Sequence, residues 1–188
     1  MGHTSIEEYE INPFTMFIRP VTYGSKIYSE IVEVQDEFLS PFKPLDIIEN
    51  SCEYFGATFK GKKEGSTLLT GVTHKVPIVI DSMNHLYFFP TTSPNRPDCI
   101  WIAHDHVISH QRHNPTETLV VFQNKKSYIF PISYNSFENQ LMRTAFLRTK
   151  MLQRIDMLER KSFYLMNRNH KMEASERQDH YMHSPRKS

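Results

Sequence analysis

The sequence predicts an α+β fold: an antiparallel sheet of five to seven strands, a mid-chain helix and a long C-terminal helix packed on the sheet. Three observations point there. Short β-branched and aromatic runs separated by turn residues fill the region from Val76 to Ser133. An unbroken helical period follows from Ser136 to Arg160, without Gly or Pro. The strand-like segments do not alternate regularly with helices, which argues against a doubly wound parallel sheet.

Taken in order, residues 1–12 read as a loose lead. Phe14–Val21 reads as a strand that ends at Pro20, Tyr23-Gly24-Ser25 as a turn, and Tyr28–Val34 as a half-buried alternating strand. Pro41 and Pro44 break the chain. From Leu45, the spacing of Ile47, Ile48, Cys52 and Phe55 predicts a helix that ends at Gly56 or runs on toward Lys63. The stretch GATFKGKKEGST then reads as a flexible basic loop. VPIVI, HLYFFP, CIWIAHDHVIS, ETLVVFQ and SYIFPIS supply the later strands, the last two as a hairpin.

The long helix has Asn135 as its expected N-cap, with Glu138 reaching back as in a capping box. At about 100° per residue, Phe137, Leu141, Ala145, Leu147, Met151, Leu152, Ile155 and Leu158 share an arc of roughly 160°, wide enough for a core face. Arg143, Lys150, Arg154 and Lys161 align within about 40° as a second, cationic stripe. Arg148 falls inside the apolar arc and needs a carboxylate or an interface there. The domain is expected to span 1–160, with 161–188 as a polar, disordered tail.

Net charge is +1, but it is unevenly spread. Residues 1–58 carry −7, 59–75 carry +3, 76–130 carry 0 and 131–188 carry +5. The basic parts suit a polyanionic partner, and a basic helix docking an acidic protein is the alternative. No apolar run approaches the length that spans a bilayer, so no membrane association is expected and the location is read as cytoplasmic. Two cysteines make no disulfide framework, and Cys52 and Cys99 read as small core residues.

Motifs for chemistry fall short. Gly56 to Lys63 misses a phosphate-binding P-loop, because Lys63 stands where a Mg²⁺-binding hydroxyl is required. On one strand, His104 and His106 would share a face, but two ligands without further Cys or His spacing do not make a zinc site. No nucleophile elbow is present, and neither a cofactor nor a metal nor a catalytic residue is assigned; the chain is read as a non-enzyme.

Several separate stretches, in one order, resemble a known family. They are KPLDIIENSCEYFGATFKGKKEGS (Lys43–Ser66), THKVPIVID (Thr73–Asp81), LYFFPTTSPNRPDCIWIAHDHV (Leu86–Val107), ISYNSFENQ (Ile132–Gln140), RTAFLRTK (Arg143–Lys150) and RID (Arg154–Asp156). Together they resemble the ComK family of bacterial competence transcription factors, over roughly residues 9–158. The resemblance implies a DNA-binding activator of DNA-uptake genes. It implies AT-rich boxes read largely through the minor groove by a homodimer or a dimer of dimers, without a conventional helix-turn-helix. Narrow A-tract minor grooves concentrate negative potential and attract Arg and Lys. Charge geometry selects Arg143, Arg148, Lys150 and Arg154, with Lys60, Lys62 and Lys63, as the candidate DNA contacts. The family's tail implies an adaptor of regulated proteolysis. Phe163-Tyr164-Leu165-Met166-Asn167 is a loose counterpart here, without a following Pro-Lys, and the residues after it depart from the family pattern.

Overall fold

Seven strands form the larger sheet of the computed structural model, which describes residues 4–182, with side chains through residue 166. In chain order they are β1 (Thr4–Ser5), β2 (Thr15–Tyr23), β3 (Lys26–Glu33), β4 (Glu37–Ser40), β5 (Ile78–Asp81), β6 (Leu86–Pro90) and β7 (Trp101–Ala103). Their order across the sheet is β1-β4-β3-β2-β7-β6-β5. Every neighbouring pair is antiparallel except β1 with β4. A second, antiparallel sheet has the order β10-β9-β8, from β8 (Val107–Arg112), β9 (Thr118–Phe122) and β10 (Ser127–Phe130). Among the described residues three α-helices accompany the sheets: α1 (Pro44–Tyr54), α2 (Phe59–Thr70) and α3 (Tyr134–Met182). The α+β class is the expected one.

The large sheet separates two cores. Ile18, Ile31, Phe88 and Trp101 face one side, where Ile47, Ile48 and Cys52 of α1 and Phe59 of α2 cover them. Phe17, Val32, Phe89 and Ile102 face the other, with Val120, Phe122 and Phe130 of the small sheet and Phe137 of α3. Adjacent residues going to opposite sides is the two-residue period of a strand. Phe17 makes edge contacts with Tyr128 and Phe130, and the Phe89 and Phe137 rings lie 5.6 Å apart.

Local chemistry explains several boundaries that the sequence reading places differently. β2 continues through Pro20 to Tyr23, because only Phe17 and Ile18 pair with β7 and the later edge carries no partner strand. β1 and β4 add two strands where a lead and a chain break are expected. α1 opens with Pro44 at its first turn, and the Lys43 N–H donates to Asp46 Oδ2 at 3.1 Å. The predicted basic loop is helix α2. The Thr58 hydroxyl caps it by accepting from the Gly61 N–H at 3.1 Å, and Gly71, at φ 74°, closes it. The expected single strand CIWIAHDHVIS is broken at His104–His106 by a 3-10 turn that separates β7 from β8.

α3 starts one position before the predicted cap. The Phe137 N–H donates to the Ser133 carbonyl, so Ser133 flanks the helix and Asn135 lies inside it, exposed. By contacts the chain divides into two units, Met1–Lys150 and Met151–Ser188, and α3 contributes to both. Its backbone is helical to Met182, so the stretch from Lys161 is helix over the described residues.

Candidate nucleic-acid interface

Within the first unit, α3 presents a buried stripe of mixed character. Phe137, Gln140, Thr144 and Leu147 are buried, while Leu141 and Arg148 are half-buried. Spacings of three and four place them on one face. Gln140 is fully used: its Nε2 donates to the carbonyls of Lys75 at 2.9 Å and Pro90 at 2.8 Å, and its Oε1 accepts from Arg143 at 3.3 Å. The Thr144 hydroxyl donates back to the Gln140 carbonyl at 2.7 Å. The start of α3 is thereby tied to the loop before β5 and to the end of β6.

Arg148 receives the partner that its place in the apolar arc demands. Its Nη1 donates to Asp105 Oδ1 at 2.9 Å, and the same oxygen lies 2.8 Å from His104 Nδ1. Burial alone would raise the Asp105 pKa, but the His104 hydrogen bond and the Arg148 charge outweigh it and hold the carboxyl below its ordinary range. The backbone turn at His104–His106 carries this carboxylate toward α3. It also undoes the expected shared face of His104 and His106. His104 turns to Asp105, whereas His106 is buried with Nε2 2.9 Å from the Pro13 carbonyl. Among the described residues no group of His, Cys, Asp and Glu is placed to hold a metal ion. Burial pushes both cysteine thiols up to about 11, in keeping with their core positions.

The other predicted cations divide by element. Arg143 is exposed on α3, and half-buried Lys150 sits 5.2 Å over the Phe146 ring. On α2, Lys60 and Lys63 are exposed and Lys62 is half-buried; Lys60 lies 3.9 Å from Glu64. α2 and the first turns of α3 pack on opposite faces of the large sheet, so these two sets are not gathered on one face. In the second unit, Arg154 is exposed. One cation outside the expectation stands beside α3: exposed Arg112 of β8, its guanidinium 6.0 Å from the Tyr134 ring, with His110 stacked on the same ring. Its strand pairing is what brings it there, and a strand arginine carries no signal of that kind in sequence. Gln140 and Thr144 could have been found, because both fall at core spacing from Phe137.

Two comparisons bear on the family. The family model described as "ComK protein" matches residues 6–156. The chain belongs to the ComK family. Over 151 residues it is 44% identical to the protein named "Competence transcription factor" of Bacillus subtilis (strain 168), covering 80% of this chain and 79% of that relative. No solved structure matches it. In this ComK-family chain, residues 55–58 form the short turn that joins α1 to α2 on the far face of the sheet from the start of α3, where the sequence reading places a loop. No described helix is long and apolar enough to cross a membrane.

Proposed function

We propose that this chain is a transcription activator of competence genes that binds AT-rich duplex DNA, largely through the minor groove. The observation that carries the reading is 44% identity to a competence transcription factor over 80% of the chain. It acts in the cytoplasm on the nucleoid, as a homodimer or a pair of dimers, and performs no catalysis. Arg143, Lys150 and Arg154 supply phosphate or groove contacts, and the α2 lysines Lys60, Lys62 and Lys63 add a second cationic set. Arg148 takes a different role. Its bond to Asp105 makes it a positioning residue that holds the α3 backbone from which Arg143 and Lys150 project. Exposed Phe163 and Tyr164 are the surface for an adaptor of regulated proteolysis.

The test is binding to AT-rich and GC-rich duplexes of equal length across a series of salt concentrations. The AT-rich duplex is expected to bind more tightly, and the logarithm of affinity to fall linearly with the logarithm of salt. Replacing Arg143, Lys150 and Arg154 together by Gln should weaken binding and flatten the slope by about 1 per lost phosphate contact. Arg148→Gln should lower affinity with little change in slope. Equal, weak binding to both duplexes would favour an interaction module that docks an acidic protein instead. An unaltered slope in the triple variant would remove the α3 stripe as the contact surface.

A further inference from the structure

The second unit carries an apolar row that is half-buried at Met151 and Ile155 and exposed from Leu158 on. From Leu152 to Met166 every residue is exposed except Ile155, which is half-buried. Leu158 is 64% exposed and Leu165 61%. These residues are not scattered. Met151, Ile155, Leu158, Ser162 and Leu165 follow one another at spacings of four, three, four and three. That is the a/d repeat of a coiled coil, with Met151, Leu158 and Leu165 at d and Ile155 and Ser162 at a. A β-branched residue at a with leucine at d favours two strands.

The flanking charges select the occupant and its direction. On this register Arg154 and Lys161 take g positions, and Leu152, Glu159 and Met166 take e positions. In a parallel pair the g residue of one helix meets the e residue five places on in its partner, which sets Arg154 against Glu159 of a second copy. An antiparallel pair would instead bring the g positions together, Arg154 and Lys161 facing the same two cations. The row is therefore self-complementary in one orientation only.

We propose that the α3 segment Met151–Met166 is a homodimerisation seam, pairing with a second copy of this chain as a parallel, in-register two-stranded coiled coil. The inference deepens the dimer named in the proposed function and rests on it for its purpose, but not for its evidence. The described seam is only about 24 Å long and has a serine at a, so the pairing is reversible and depends on concentration. Phe163 and Tyr164 fall at b and c, outside the seam, and stay accessible in the dimer. A weak seam has a use in an activator that binds repeated boxes. Protein concentration then sets the fraction of chains paired and able to span two half-sites.

Sedimentation velocity on the full chain without DNA, over a range of concentrations, tests it. The unaltered protein should show a reversible monomer–dimer exchange. Leu158→Glu should weaken the dimer about tenfold or more, the effect of about 1.4 kcal/mol. Ser162→Ile should tighten it. Arg154→Glu should weaken it, and the exchanged pair Arg154→Glu with Glu159→Arg should recover it. Under mild oxidation Leu165→Cys should give a covalent dimer, because parallel in-register helices bring residue 165 to its own copy, whereas Cys52 and Cys99 are buried. A monomer at all concentrations overturns the proposal, as does a dimer indifferent to both Leu158→Glu and Ser162→Ile. A dimer in which Leu165→Cys does not cross-link overturns the parallel register. Thermal unfolding of each variant checks that the first unit is intact. None of these measurements uses DNA, so a failed seam leaves the DNA reading standing, and failed AT-box binding leaves the seam standing.

Discussion

Gln140 shows how one polar side chain can fix the base of a functional helix. It is 2% exposed, and both of its amide protons end on main-chain carbonyls of other segments. The bond to the Pro90 carbonyl is buried and the one to Lys75 partly so, so removing the amide leaves the Pro90 carbonyl with an uncompensated desolvation cost. Gln140→Ala should destabilise the fold by about 2 kcal/mol, read by urea unfolding. The exposed neighbour gives the control: Asn139→Ala should change stability by less than about 0.5 kcal/mol. If the two variants unfolded alike, the anchoring role would be lost. Arg148 illustrates the limit of reading residues one at a time. Periodicity places it in the apolar arc and demands a partner, but the partner, Asp105, is 43 residues away and is brought up by a turn that reads in sequence as straight strand. Helical phase is a local property and was legible; the identity of a distant carboxylate is not.

Helix α2 is where local signals mislead. Gly61 and Gly65 inside KGKKEGS suggest freedom, and each glycine costs a helix about 1 kcal/mol relative to alanine. Thr58 and Gly71 supply the ends, Phe59 packs edge-on against Trp101 at 6.0 Å, and Ser66 is buried against the fold. Tertiary packing therefore overrides a poor propensity. The prediction is specific to Gly65, where an added Cβ meets nothing within 4 Å. Gly65→Ala should stabilise the protein by roughly 0.5–1 kcal/mol in urea unfolding. A destabilised variant would mean that this stretch is not helical in solution. The long helix behaves the opposite way. Its period is plain from Phe137 to Leu158, but the period does not say what it packs on. Phe137 and Leu147 are buried while Leu152 and Leu158 are exposed, although all four share the same arc of the helix, so the helix's own pattern does not set burial.

On the scale of the whole molecule, the fold class was legible because strand-like runs and a single long helical period are large, repeated signals. The split into two sheets was not, since the His104–His106 turn that divides them looks like continuous strand in sequence. Two groups of that turn contribute to the acid response of the first unit. Burial pushes His106 below its ordinary value of 6.5, against the hydrogen bond to the Pro13 carbonyl and the Asp105 charge, which act the other way. The unfolded chain therefore takes up the proton first, and the stability from neutral His106 is complete above about pH 6.5 and lost as pH falls through the lower folded value. Asp105 is also held below its ordinary 3.8, so its share is complete above that value and is lost only at still lower pH. Melting temperature should therefore fall in two stages on acidification, the first opening below about pH 6.5. His106→Gln should flatten the first stage and keep the second, and Asp105→Asn should flatten the second while deepening the first, because it removes a charge that opposes the effect of burial on His106. A melting profile that is level from about pH 7 to about pH 4 would show that His106 is not buried against residue 13 in the folded protein. In that case the 3-10 turn, and with it the link from Asp105 to α3, would have to be drawn differently.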